Sequence, residues 1–146
     1  MLRQATITDS QTLIKVMSQK ENALAYRNNG KIQDPGTWER LLGRYSESTF
    51  AIEHPTRGDT IVGFIWYTPN DDGDHISVYF DQTVKDIRKL ELLVSSFHNL
   101  FQYRPSPVYI ASCYKTNTRA ISAFNKAGFT YIDSTPETVK LMYGCS

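Results

Sequence analysis

The run Lys85-Asp86-Ile87-Arg88-Lys89 sets three cations close together. Cations at that spacing can hold phosphate oxygens through charge-assisted hydrogen bonds. On a first helical turn the same residues have a plainer reading as a solvated face. Thr83-x-x-Asp86, just before them, reads as a capping box whose side chains would occupy the N–H groups a phosphate needs. His75 opens a strand pattern and suits proton transfer, because an imidazole can exchange a proton near neutrality. A histidine at a strand start also has the plain reading of a surface residue. Cys113 and Cys145 show neither metal-ligand spacing nor a disulfide framework. They read as reduced thiols in a cytoplasmic chain, and no metal is expected.

The elements that must position these groups can be read from periodicity. Leu2 to Ile7 alternates as a short strand, and Thr8 with Gln11 fits a capping box for the helix that follows, with Leu13, Ile14 and Met17 on one face. Asn28-Asn29-Gly30 is a turn signal, and Asp34-Pro35 opens a second helix with Trp38, Leu41, Leu42 and Tyr45 on its apolar face. The period then changes to two. Thr49 to Glu53, Thr60 to Thr68 and His75 to Phe80 read as an antiparallel meander, separated by turn chemistry at His54 to Asp59 and Pro69 to Asp74. Ile87 to Phe101 carries a helical apolar stripe. Val108 to Cys113 reads as a strand and Thr118 to Ala127 as a helix. Gly128 sits where a left-handed stop is wanted, with Phe129 as its hydrophobic partner. Thr130 to Asp133 and Val139 to Tyr143 close the chain as a strand pair. The order β-α-α-β-β-β-α-β-α-β-β predicts an α+β fold around a mixed, mainly antiparallel sheet.

Composition narrows the classes. The chain has 146 residues, 40% hydrophobic and 21% charged, with a formal net charge of +1. That length suits a single domain over 1–146 with one continuous core. Near-zero net charge gives no support for a nucleic-acid or membrane surface built on bulk positive charge. No apolar run is long enough to span a membrane, and the first residues lack the apolar segment of a signal peptide.

Asn117-Thr118-Arg119-Ala120-Ile121-Ser122-Ala123-Phe124-Asn125-Lys126-Ala127-Gly128-Phe129 resembles the late helix of the GNAT acyltransferases, which reads Asn, Ala three on, an aromatic four further, then Lys-x-Gly-Phe. Asn117, Ala120, Phe124, Lys126, Gly128 and Phe129 match that spacing. Thr60-Ile61-Val62-Gly63-Phe64-Ile65 resembles the family's central strand, and the element order resembles the family along nearly the whole chain.

The resemblance implies direct transfer of an acetyl group from acetyl-CoA to a primary amine. Main-chain groups of the fourth strand, at Val78, Tyr79 and Phe80, would pair with the pantetheine arm, and the splay between strands four and five would admit the thioester. Asn117 would hold a cofactor or main-chain hydrogen bond at the fifth strand's exit, and Phe124 would count among the cofactor-binding residues. The family places a Gln/Arg-x-x-Gly-x-Gly/Ala loop after the fourth strand, where backbone N–H groups meet the diphosphate. This chain has no glycine from Asp81 to Leu90, so Lys85, Arg88 and Lys89 would hold the phosphates by side-chain charge. Many members carry a proton-donating Tyr where this chain has Phe124. Tyr114, Cys113 and Tyr131 are the substitutes, Tyr114 foremost. His75, Asp74 and Glu53 are the candidate bases, His75 foremost. The acceptor would meet Tyr26 to Lys31 and Ser134 to Thr138, where Arg27, Lys31 and Glu137 could discriminate charge. The missing glycines and Phe124 also fit a non-catalytic GNAT-fold binding or assembly protein. The divergence and the basic run fit a phage-type relative modifying DNA or another unusual acceptor. Edge strands near the C-terminus could support a homodimer.

Overall fold

The computed structural model describes residues 2–25, 35–45, 48–58 and 60–144. The expected turn at Asn28-Asn29-Gly30, the Tyr26 to Lys31 acceptor loop, Asp34, Asp59 and Cys145 lie outside the described residues.

β1 (Leu2–Gln4) leads through a single 3-10 turn at Ile7–Asp9 to α1 (Ser10–Met17), α2 (Lys20–Ala25) and α3 (Pro35–Tyr45). β2 (Thr49–Glu53), β3 (Ile61–Thr68) and β4 (Asp74–Phe80) follow, then α4 (Lys89–Tyr103), β5 (Val108–Tyr114), α5 (Thr118–Lys126), β6 (Thr130–Ser134) and β7 (Thr138–Gly144). The expected order holds with one addition, α2, whose six residues are too few to show a helical period. One cap moves. The box expected at Thr8 and Gln11 is displaced by Asp9, whose carboxylate accepts the Thr6 N–H at 2.8 Å and both arms of Arg3 at 2.9 Å.

The strands order as β1-β2-β3-β4-β5-β7-β6 in a seven-stranded sheet. β1–β2, β2–β3, β5–β7 and β6–β7 are antiparallel. β4 runs parallel to β5, with Asp74 opposite Tyr109 and His75 opposite Ile110. Because β7 lies between β5 and β6, β6 becomes a sheet edge. It is exposed throughout, with Tyr131 and Ile132 bared to solvent and a register shift between Tyr131 and Asp133.

By residue contacts the chain divides into two compact units, Met1–Trp66 with Val78–Ile87, and Tyr67–Ser77 with Arg88–Ser146. The core of the first gathers Ala5, Leu13, Val16, Met17, Trp38, Leu42, Ala51, Phe64 and Tyr79. Leu13, Met17, Trp38 and Leu42 are among the helix-face residues that periodicity selects, with the expected Ile14 and Leu41 only partly buried against them. Trp66 joins them, stacked on Trp38 and edge-on to Tyr79 with centroids 5.3 Å apart. The core of the second is aromatic. Phe97 stacks on Phe124 at 5.0 Å, Phe124 meets Phe129 edge-on at 5.1 Å, and Phe101 lies on Tyr109 and Tyr143 at 4.4 and 4.7 Å. Offset and edge-on geometries suit the ring quadrupoles, adding to the burial of apolar area.

Candidate functional site

The end of β4 and the segment after it belong to the first unit. Gly63 on β3 is there because β4 comes close: a Cβ at that position would lie 2.7 Å from the Tyr79 carbonyl oxygen and 3.1 Å from the Phe80 ring. The Asp81 N–H donates to the Val62 carbonyl at 2.8 Å. Backbone groups alternate along a strand, so Tyr79 and Asp81 turn their main-chain polar groups to β3, while Val78 and Phe80 turn theirs to the opposite edge. Of the three expected pantetheine partners, Tyr79 and the Phe80 carbonyl have neighbours within the protein. Tyr79 faces its own sheet neighbour. The Phe80 carbonyl already accepts the side-chain amides of Asn22 at 2.8 Å and Gln82 at 3.2 Å, which fills both lone pairs. Val78 remains.

The glycine-free segment after β4 is held by side chains. Asp81 is buried, and its Oδ1 accepts the Gln19 amide at 2.7 Å, the Thr83 N–H at 2.9 Å and the Thr83 hydroxyl at 2.6 Å. Lys15 approaches the other oxygen at 3.4 Å. Burial alone would raise the Asp81 carboxyl, but the Thr83 and Gln19 hydrogen bonds and the Lys15 charge outweigh it and hold the group below the usual carboxylate range. Gln19 turns its own oxygen to the Gln82 N–H at 2.7 Å. Five residues further on, Asp86 meets Arg57 at 2.7 Å and His54 at 3.3 Å. Lys85, between these anchors, is exposed.

The Thr83–Asp86 capping box is therefore absent. Thr83 serves Asp81, Asp86 serves the β2–β3 hairpin, and α4 starts two residues later than its apolar stripe suggests. Its N-cap is Arg88, which makes no side-chain capping bond. Arg88 is exposed beside Glu91 at 3.5 Å, and Lys89 is half-buried as the first residue of α4.

In the second unit, Asn117 caps α5: its side-chain oxygen accepts the Ala120 N–H at 3.3 Å. α5 stops as the sequence predicts. The Phe129 N–H donates to the Phe124 carbonyl at 3.0 Å and the Gly128 N–H to the Asn125 carbonyl at 3.1 Å, with Gly128 at φ +105°. Phe124 is 4% exposed among Phe97 and Phe129, so its ring is a core element.

The proposed proton carriers are not brought together. His75 sits by the β3–β4 turn, 3.1 Å from Asp72, which also meets Lys140 at 3.5 Å. Its neighbour on β5 is Ile110, and Tyr114 lies four residues further along. At ~3.3 Å per residue that is about 13 Å of strand, too far for both to serve one reacting carbon. The other bases are also engaged. Asp74 accepts the Tyr67 hydroxyl at 2.6 Å, and burial together with that carboxylate pushes the Tyr67 phenol up to about 12. Glu53 faces Arg3 at 3.7 Å. Cys113 is buried on β5, and Tyr131 is exposed on β6, its hydroxyl 3.1 Å from Ser134. In the β6–β7 turn, Glu137 donates its N–H to the Thr135 hydroxyl, so that loop is organised by its own threonines.

Gln19, Asn22, His54 and Arg57 are the residues that sequence reasoning missed. Each has a partner far away in the chain, Gln19 on Asp81, Asn22 on Phe80, and His54 and Arg57 on Asp86, and His54 and Arg57 sit in a segment that reads only as turn chemistry. No group of three or more His, Cys, Asp or Glu arranged for a metal occurs among the described residues. Among the same residues no helix is long and apolar enough to cross a membrane.

No protein-family profile matches the chain, and no curated protein matches it significantly. Solved structures do. A GNAT-family acetyltransferase from Bacillus anthracis superposes with a TM-score of 0.78 at 13% identity, over 98% of this chain and 93% of the other. A ribosomal-protein-alanine N-acetyltransferase from Brucella melitensis gives 0.75 at 18% identity, over 99% of both chains. yncA from Salmonella typhimurium, solved with its cofactor acetyl-CoA, gives 0.77 at 13% identity, over 99% of this chain and 92% of the other. The likeness runs along the whole chain, and the chain has the fold of the GNAT acetyltransferases.

Proposed function

We propose that this protein is an acyl-CoA-dependent N-acyltransferase, a single GNAT-type domain that moves an acetyl group from acetyl-CoA to a primary amine. The observation that carries the reading is the full-length likeness to GNAT folds, one of them solved with acetyl-CoA. One local feature supports it: the Val78 backbone edge is turned away from β3, where an amide-bearing arm can add to it. Lys85, Arg88 and Lys89 supply the charge that a glycine loop would otherwise leave to the backbone.

In the transfer, the amine nitrogen attacks the thioester carbonyl carbon. The C–N bond forms, the C–S bond breaks, the amine loses a proton and the CoA thiolate takes one up. Tyr114, half-buried at the end of β5, is the donor this reading assigns, because Phe124 has no proton to give. General acid catalysis contributes about 10²- to 10⁴-fold, so Tyr114→Phe lowers kcat by about 10²-fold while leaving acetyl-CoA binding intact. Calorimetric titration of acetyl-CoA into the purified protein tests the reading itself: saturable binding is expected, and no heat at millimolar ligand overturns it.

A second reading, a GNAT fold retained for binding without transfer, is favoured by the protein partners that His75, Asp74 and Glu53 already have. Acetyl transfer that is lost in Lys85→Ala would remove it. The exposed β6 edge, with Tyr131 and Ile132, is where a homodimer would form on either reading.

A further inference from the structure

We propose that His54, Arg57 and Asp86 form a clamp that sets the conformation of the segment from Gln82 to Ile87, which makes His54 and Arg57 positioning residues for the phosphates of acyl-CoA. The inference rests on the acyl-CoA reading above and adds to it how a loop without glycine keeps its shape.

The clamp is legible in the protons. His54 is buried, its side chain 4% exposed, in the turn after β2. Its Nδ1 accepts the backbone N–H groups of Thr56 at 3.1 Å and Arg57 at 3.2 Å. A nitrogen that accepts two N–H groups carries no proton, so the ring's proton is on Nε2 and is donated to Asp86 Oδ2 at 3.3 Å. Arg57 reaches the same carboxylate with both arms, at 2.7 and 3.4 Å. The turn that presents the pair is itself closed by His54 N–H to the Thr60 carbonyl at 2.7 Å and Thr60 N–H to the Arg57 carbonyl at 2.9 Å. Both ring nitrogens of His54 are thus engaged within the protein, which leaves none to exchange a proton with a substrate. Its role is to position.

Asp81 anchors the other end of the segment through Gln19, Thr83 and Lys15. Lys85 lies between the anchors. A glycine-rich phosphate loop owes its shape to backbone freedom. Here two carboxylates fastened to two different supports limit the paths the backbone can take. A preorganised cation binds an anion more tightly than a mobile one, because less conformational entropy is lost on binding.

Three variants test the clamp. Asparagine at 54 keeps an oxygen that can accept the turn's N–H groups in the manner of an Asx-turn but is too short to reach Asp86, so His54→Asn preserves the hairpin and cuts the clamp without changing charge. Asp86→Asn weakens it from the other side by removing the charge and one acceptor oxygen, and Arg57→Lys keeps the charge without the fork. In protein without ligand, amide hydrogen exchange across 82–87 is expected to rise about tenfold in His54→Asn and Asp86→Asn, with β2 and β3 unchanged. The acetyl-CoA Kd is expected to rise about tenfold in His54→Asn, with Arg57→Lys in between. Asp86→Asn also removes a negative charge beside Lys85, so the neutral His54→Asn decides the binding arm. Unchanged exchange in His54→Asn overturns the clamp, and faster exchange with an unchanged Kd overturns the positioning role. If the unsubstituted protein binds no acetyl-CoA, the acyl-CoA reading and the positioning role both fall, while the exchange arm still decides the clamp.

Discussion

The stop of α5 and the loop after β4 solve the same problem, how to end one element and start the next, by opposite means. At α5 the solution is local and made of backbone: Phe129 and Gly128 return their N–H groups to Phe124 and Asn125 within one turn. After β4 it is made of side chains and reaches far, with Asp81 bound to Gln19 and Asp86 bound to His54 and Arg57. The first kind depends on one glycine and one aromatic ring. The second depends on pairs of residues that must change together.

The comparison predicts that changes in the α5 region and at the buried loop anchor Asp81 act on stability, and changes at the exposed loop cations act on binding. The largest stability effect is expected from Phe124→Ala, about 3–5 kcal/mol in urea unfolding, since it empties the centre of an aromatic cluster. Phe124→Tyr sharpens the point: it restores the hydroxyl many GNAT proteins carry there, yet with the ring 4% exposed no gain in kcat is expected. A rise in turnover would place Phe124 on the site and break the contrast.

Asp81→Ala comes next, at about 2 kcal/mol, because it removes the buried charged acceptor that the Thr83 and Gln19 donors share. The sign of its pH dependence follows from the depressed folded-state pKa. The contribution is fully present above the unfolded carboxylate value of about 3.9 and is lost as pH falls through the lower folded value. Asp81→Asn should flatten the fall in stability below about pH 4, and an unchanged acid limb in thermal melts would contradict the assigned network.

Gly128→Ala should cost about 1 kcal/mol, since a φ of +105° strains any residue with a Cβ and that Cβ would lie 3.0 Å from the Tyr143 ring. Acetyl-CoA affinity should hold. The smallest stability change is expected from Lys85→Ala, within about 0.5 kcal/mol for an exposed side chain. Its acetyl-CoA Kd should nevertheless rise severalfold, and more at low salt than at high. A loop variant that unfolds the protein without touching binding would erase the distinction between the two regions.

Much of the fold was legible from residue types alone. The stripe Leu93, Phe97, Leu100 predicts the buried face of α4, and the two-residue period from Thr49 predicts β2 and β3 almost to the residue. The start of α4 was misread because Thr83 and Asp86 carry the right side chains at capping spacing, and only their competing partners show that they do not cap. The candidate site was less legible. Val78, Tyr79 and Phe80 look equivalent in sequence, yet strand parity and Asn22 separate them. His75 looks suited to proton transfer, but its place beside Ile110 sets it apart from Tyr114.

The sequence by itself determined what depends on neighbours within a few residues: helix periods, strand alternation, the Gly128 stop and the loss of glycine from 81 to 90. These are set by backbone sterics and by hydrogen bonds that close within a turn. Only the tertiary structure decided that β7 lies between β5 and β6, that Gly63 makes room for Tyr79 and Phe80, and that a turn histidine holds an aspartate more than thirty residues away. Such pairings depend on which distant groups the packed sheet brings within hydrogen-bond reach, and no local spacing encodes that.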